Sequence, residues 1–220
     1  MKINEQRNIA LPVVTELVTR KVPKEIDGKE ELIDETEEVV RVWAYHTPIS
    51  REVFDANFRV LAATKSALAG KGSHYLSSSG PRIAALTLRD EGKKDAAARG
   101  SFDKDGIVKD DDTAALLGEF KRLTMILCPG QHGWDLLPVD AAIQQGRIDS
   151  EDWEEALASI VFFTCLYAMA RKADREMMAK GTASLIGALI TSSAPMEFAA
   201  SLQTSMHHEH TKRTQSSIPS

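Results

Sequence analysis

Two segments near the amino terminus contain β-branched and aromatic residues in partial alternation, which is typical of strands. They are residues 9–20 (IALPVVTELVTR) and 37–46 (EEVVRVWAYH). The second segment divides between two faces, with Val39, Arg41, Trp43 and Tyr45 on one and Val40, Val42 and Ala44 on the other. A two-stranded ribbon alone is marginally stable in water. We therefore expect this β arm, residues 1–46, to lie on a helical body or to pair with another chain.

The segment between these strands, residues 21–38, is highly charged and poor in large apolar residues (KVPKEIDGKEELIDETEE). It fits a long hairpin tip in which both strands continue to a turn at Asp27-Gly28. It also fits a disordered loop, because so few apolar side chains cannot offset the entropy of an ordered chain. Both alternatives are open at this point.

Apolar residues recur at helical spacing from Thr47 onward. Thr47 as the N-cap and Pro48 as the first helical residue predict a helix start, and Gly70 ends the run. Residues 81–89 predict another helix, with residue 98 as its furthest end. From about 92 to 110 the chain is charged and almost without apolar residues, which predicts a mobile loop inside the domain.

A third helix is predicted over residues 111–127, ended by Pro129-Gly130. Its apolar stripe comprises Leu116, Leu117, Phe120, Leu123, Ile126 and Leu127. A Gly- and Trp-containing loop follows, and then a short helix over residues 138–145. The main helix starts after an N-cap at Asp149, with Asp152 in a capping-box position, and its acidic start and basic end complement the helix dipole. We expect it to be the centre of the core.

These patterns predict an α+β, mainly α protein: a helical domain of about six helices with an N-terminal two-stranded β arm. The domains are residues 1–46 (β arm with a charged hairpin tip), 47–206 (helical domain centred on 149–180) and 207–220 (flexible tail).

Composition narrows the function classes. The 220 residues include 43% hydrophobic and 27% charged residues, enough for a core with an ordinary surface. A net charge of −5 and interleaved acids and bases argue against nucleic-acid and membrane binding. Cys128 and Cys165 lie in apolar surroundings and are expected to be buried free thiols. The most apolar run, residues 156–170, is shorter than the roughly 20 residues of a membrane span, so a cytoplasmic protein is expected.

No segment carries a motif for catalysis, a cofactor or a metal, so we expect no enzyme, no cofactor and no metal site. The histidines at 207, 208 and 210 beside Glu209 are in the predicted tail, where surface residues are the simpler interpretation. The acids at 110–112 are better explained as helix-capping residues. Ser77–Gly80 lacks the Lys-Ser/Thr signature of a phosphate-binding loop.

Three aromatic residues are candidates for contact with a partner protein. Trp43 and Tyr45 are on the predicted arm, which needs a partner for its edges. Trp134 is in a glycine-rich loop, where a tryptophan is either part of the core or an anchor at an interface.

Three stretches resemble a group of tailed-bacteriophage proteins. They are YHTPISREVFDANFRVLAATKSAL at 45–68, GPRIAALTLRDEG at 80–92, and GEFKRLTMILCPGQHGWDLLPVDAAIQQGRIDSEDWEEALASIVFFT at 118–164. The group has a TPI-x-REVF helix start, a GW-x-x-[LV]P loop before an acidic-capped helix with a VFFT-like core, and a TS…EFAASL ending, here TSSAPMEFAASLQTS. The resemblance covers most of residues 37–205, without the hairpin tip and the tail.

The resemblance implies a tail assembly chaperone or an associated tail-morphogenesis protein of long-tailed phages. Such proteins bind the tape-measure protein and bring in tail-tube subunits in the host cytoplasm, and they are absent from the finished virion. The family has no active site to transfer. The alternative is a structural virion component, such as a tail or head–tail connector subunit. Homo-oligomerisation is compatible with either.

Overall fold

The computed structural model describes residues 8–26, 29–131 and 133–202, without the side chains of 25, 26 and 29–31. The strands are β1 (Asn8–Ile26), β2 (Lys29–His46), β3 (Thr124–Gly130), β4 (Gly133–Pro138) and β5 (Leu189–Thr191). The helices are α1 (Arg51–Ala56), α2 (Phe58–Ala69), α3 (Ser73–Ser78), α4 (Gly80–Ala98), α5 (Asp111–Arg122), α6 (Val139–Gln144), α7 (Ser150–Tyr167), α8 (Arg175–Leu185) and α9, residues 195–202.

The five strands form one antiparallel sheet in the order β4-β3-β2-β1-β5. The prediction of a mainly α protein with a separate two-stranded arm is therefore wrong. Residues 8–10 of β1 pair with β5, and residues 43–46 of β2 pair with β3. These parts of β1 and β2 therefore lie in the middle of the sheet, between β5 and β3. They supply buried residues to both of its faces.

One face of the sheet lies on the helices, and we call it the inner face. Alternate residues of three neighbouring strands enter the main core from this face: Ile9, Leu11, Val42, Ala44, Ile126 and Cys128. The opposite, outer face carries the intervening residues and is covered by α9. Because successive side chains of a strand point to opposite faces, residues 9–11, 42–45 and 126–128 are buried on both faces of the sheet.

Helix α7 lies at the centre of the helical layer, as predicted, but ends at Tyr167 and not near residue 180. Its residues are buried on nearly all sides, which is typical of a helix surrounded by other elements. The capping box is confirmed: the Asp149 carboxylate accepts the backbone N–H of Asp152, and the Asp152 carboxylate accepts that of Asp149.

Several element ends differ from the prediction. The first helix starts after Ser50, whose hydroxyl accepts the N–H of Val53, and not at Thr47. Helix α4 continues through Ala98, so residues 92–98 of the predicted mobile loop are helical. Helix α5 ends at Arg122, and the apolar residues after it belong to β3. The strands β1 and β2 extend to Ile26 and Lys29, which favours the hairpin alternative, although the turn residues 27 and 28 lie outside the described residues.

Helices α4 and α5 meet at Gly92, which is buried. A Cβ atom placed there would overlap the Thr113 hydroxyl and the Asp110 carboxylate, which caps α5. We expect Gly92→Ala to lower the free energy of unfolding by about 1–3 kcal/mol, because this overlap outweighs the helix propensity gained. Urea denaturation measures the change.

The matched control is Gly118→Ala, in α5, where a Cβ atom meets nothing within 4 Å. This variant is expected to be unchanged or more stable by up to about 1 kcal/mol. A Gly92→Ala protein as stable as Gly118→Ala would contradict the close approach of the two helices.

Candidate functional site

The distal parts of β1 and β2 form an extension of the sheet that we call the ribbon, residues 15–26 and 29–40. The pairing runs without a break from Thr15 opposite Val40 to Ile26 opposite Lys29. At about 3.3 Å per residue the ribbon is roughly 40 Å long. Within the described chain, β5 pairs with β1 only at residues 8–10, and β3 pairs with β2 only at residues 43–46. The ribbon therefore presents two strand edges beyond the body.

The ribbon presents side chains to solvent on both faces. Leu17 and Leu32, on one face, are 72% and 68% exposed. On the other face Val22 lies opposite Ile33, and both are half-buried. Burying either leucine against a partner would remove apolar area from water.

The ribbon also carries the excess charge of the protein. Residues 15–40 contain nine acidic and four basic residues, and the rest of the chain contains 23 of each. The formal charge of −5 therefore belongs to this segment alone. Two described ion pairs offset part of it: Arg20 with Glu37 at 3.7 Å, and Arg41 with Glu16 at 2.6 Å. A partner with positive charge is favoured at this surface.

All three predicted contact residues lie on the outer face of the sheet or at its rim. Trp43 and Tyr45 of β2 and Leu127 of β3 form a buried cluster, and Trp134 and Leu136 of β4 lie half-buried against it. The alternation of β2 places Trp43 and Tyr45 together. Leu127 and Leu136 were missed, because their strands were not predicted.

Helix α9 covers this outer face. The Phe198 ring lies 5.8 Å from Trp43 and 5.9 Å from Tyr45, measured between centroids. The Tyr45 hydroxyl donates to the carbonyl of Ser193, and burial raises the pKa of Tyr45. Trp43 is 8% exposed and Tyr45 is 1% exposed, so both side chains are occupied by the chain's own helix. Their role as partner contacts stays a prediction.

The other candidate groups have structural partners. Asp110 caps α5, while Asp111 forms an ion pair with Lys109 and Asp112 with Arg99. The hydroxyls of Ser77 and Ser78 donate to the His74 carbonyl within α3. The histidines at 207, 208 and 210 lie outside the described residues.

Cys128 and Cys165 are free and buried, as predicted. Burial raises the pKa of Cys165 to about 12 and raises that of Cys128. Since the thiolate is the reactive form, neither thiol is activated as a nucleophile.

Comparison of the chain with protein-family models, curated proteins and solved structures finds no match. In the part of the chain that the structure describes, no helix has the length and apolar character needed to cross a membrane. Among the same residues, no three His, Cys, Asp or Glu side chains are arranged to hold a metal ion.

Proposed function

We propose that this protein is a non-enzymatic assembly factor for the tails of long-tailed bacteriophages. It binds tape-measure or tail-tube subunits in the host cytoplasm and is released before the virion is complete. The proposal combines the sequence resemblance in residues 37–205 with one structural observation. That observation is the ribbon, a roughly 40 Å extension of the sheet with exposed leucines, beside which no third strand of the described chain pairs.

A ribbon of this kind supports a binding role more than a catalytic one. Its backbone N–H and C=O groups can bond to an extended partner, and Leu17 and Leu32 can be covered at the same time. The hairpin tip lies outside the stretches that resemble the phage group. This division fits a shared body that carries a partner-specific binding element.

The second candidate is a structural subunit of the tail or the head–tail connector. The length of the ribbon favours it, because extended ribbons can interlock neighbouring copies in a permanent assembly. The two candidates differ in whether the protein stays in the particle.

Quantitative mass spectrometry of purified virions and of the infected-cell lysate distinguishes them. Peptides from residues 47–202 are expected in the lysate, in complexes with tape-measure or tail-tube subunits, and absent from purified particles. The tail-tube protein in the same samples is the internal control for recovery. Near-stoichiometric presence in particles would establish the structural subunit instead, and absence from every tail-protein complex would overturn both.

A further inference from the structure

We propose that the outer edge of β2, residues 32–40, is a strand-addition site for an extended segment of another protein that carries lysine or arginine. This inference rests on the proposed function and specifies its partner chemistry. The occupant is a basic segment that continues the sheet on the side where β3 pairs at residues 43–46.

The backbone of this edge is available. In the described chain, β2 pairs on one side with β1 along its whole length and on the other side with β3 only at residues 43–46. From residue 40 towards residue 32, every second residue turns its N–H and C=O away from β1. Such groups form hydrogen bonds with water in the free protein and can form them with a partner strand instead.

The edge of β1 is a poorer acceptor for a strand. Pro12 and Pro23 lack N–H donors, and prolines within strands are tolerated where the nitrogen faces away from the ladder. The register also shifts twice between Pro12 and Thr15, once at an extra residue of β1, Val13, and once at an extra residue of β2, Arg41. Within the ribbon, Pro23 interrupts pairing along β1, whereas residues 32–40 of β2 contain no proline and no register shift. The two edges of the ribbon are therefore not equivalent, and β2 presents the open one.

The chemistry of the open edge is acidic on both of its faces. Asp34 and Glu38 lie on one face, and Glu35 and Glu37 lie on the other, all four exposed, with Glu37 also in the exposed ion pair with Arg20 of β1. Apolar residues flank them at Ile33 and Val39, among others. An added strand would place its side chains beside these acids, at distances where opposite charges attract and like charges repel.

A second copy of this chain is a poor occupant. Two β2 edges would bring the acids of both copies together, and like charges on neighbouring strands destabilise a sheet. The β1 edge of a second copy carries Arg20, Lys21 and Lys24, but Pro23 interrupts its row of donors. The acids therefore select against pairing of two β2 edges and Pro23 against pairing with a second β1, which favours a basic strand from another protein.

Three labelled peptides test the proposal with the full-length protein. The probe is a ten-residue peptide of alternating lysine and valine. The second peptide has glutamate for every lysine. The third keeps the lysines but is N-methylated at every residue, which removes the hydrogen-bond donors of both edges without changing charge. Fluorescence anisotropy at low salt is expected to detect binding of the first peptide alone, with affinity falling as salt is added.

Variants locate the site. Glu37→Gln with Glu38→Gln is expected to weaken binding of the lysine peptide by about fivefold, from the loss of two exposed charge contacts. The matched control is Glu151→Gln with Glu155→Gln, which removes two exposed acids from α7 and should leave affinity unchanged. A third variant replaces residues 17–38 by Asn-Gly, joining the paired Glu16 and Val39, and should abolish binding.

Each outcome bears on the proposal. Equal binding of the N-methylated peptide would show electrostatic attraction without strand addition and would overturn it. No binding of any peptide would also overturn it and leave the acids as protection against aggregation. Equal loss in the two glutamine variants would place the site elsewhere. If these tests fail while the protein still enters transient tail-protein complexes, the edge assignment falls and the proposed function stands.

Discussion

Replacement of Phe162 by alanine is expected to lower the free energy of unfolding by about 3–5 kcal/mol, one of the two largest effects we expect. Phe162 is fully buried on α7, the helix at the centre of the core. A Cβ atom placed at Gly80 of α4 would lie 2.8 Å from Cε2 of its ring, so backbone approaches the ring closely. The cavity left by truncation cannot be filled by a small side-chain rotation, because its wall there is backbone.

Urea denaturation followed by circular dichroism measures this loss. Phe58→Ala is the matched control, since Phe58 is 50% exposed on α2 and should cost less than about 1 kcal/mol. If the two variants lost equal stability, the central position of α7 would be contradicted.

His46 is expected to make the fold sensitive to acid. It is fully buried, and its Nδ1 lies 2.9 Å from the Thr124 hydroxyl oxygen. That hydroxyl donates its own hydrogen to the Phe120 carbonyl, so Nδ1 carries the proton and donates to Thr124. The other nitrogen, Nε2, is buried and has no hydrogen-bond partner among the described atoms. Protonation of Nε2 would place an unpaired charge in the core.

Burial lowers the pKa of His46 from 6.5 to about 3. Between these values the unfolded chain binds a proton at His46 and the folded protein does not. The contribution of His46 to stability is therefore complete above pH 6.5 and is lost as pH falls towards 3. The slope is at most about 1.4 kcal/mol per pH unit, or roughly 4–5 kcal/mol over the window.

The comparison of wild type with His46→Asn isolates this effect, because asparagine keeps an N–H donor near the position of Nδ1 and does not titrate. The variant should be less stable at pH 7. Its further loss between pH 7 and pH 4.5 should be smaller than that of wild type by about 2–3 kcal/mol. Parallel pH profiles for the two proteins would contradict the buried, neutral state of His46.

The sequence predicts the strands and the central helix because their signals are local. Valine and aromatic alternation marks β1 and β2, and the Asp149–Asp152 capping box marks the start of α7. The ribbon's pairing past residue 20 was only one of two alternatives. Many charged residues cannot be distinguished from a disordered loop by composition, although opposite charges across strands, such as Lys21 opposite Asp34, agree with the pairing.

The strands β3 and β4 could not be predicted because the local sequence of each favours another structure, a helix for β3 and a loop for β4. Leu123, Ile126 and Leu127 continue the helical spacing of α5, yet the chain leaves the helix after Arg122. Residues 126–128 are buried on both faces of the sheet, and such a short apolar run has no alternation to distinguish strand from helix. In β4, Gly133 and Pro138 resemble loop residues at the ends of a six-residue edge strand. Because the sequence does not predict β4, it places Trp134 in a loop.

The candidate site was predicted in part. Trp43, Tyr45 and Trp134 do gather at one face of the sheet, which their separation in sequence does not reveal. What the sequence could not show is that Phe198 covers Trp43 and Tyr45. That contact joins positions more than 150 residues apart, and no local pattern encodes it.

The strand order has a consequence for folding during synthesis on the ribosome. Asn8 pairs with Thr191, so β1 is made long before its partner β5. At about 5–20 residues per second, roughly 10–40 s separate the two. During that interval residues 8–10 of β1 have no β5 to pair with, and the nearby Pro12 and the bulge at Val13 limit mispairing with other nascent chains.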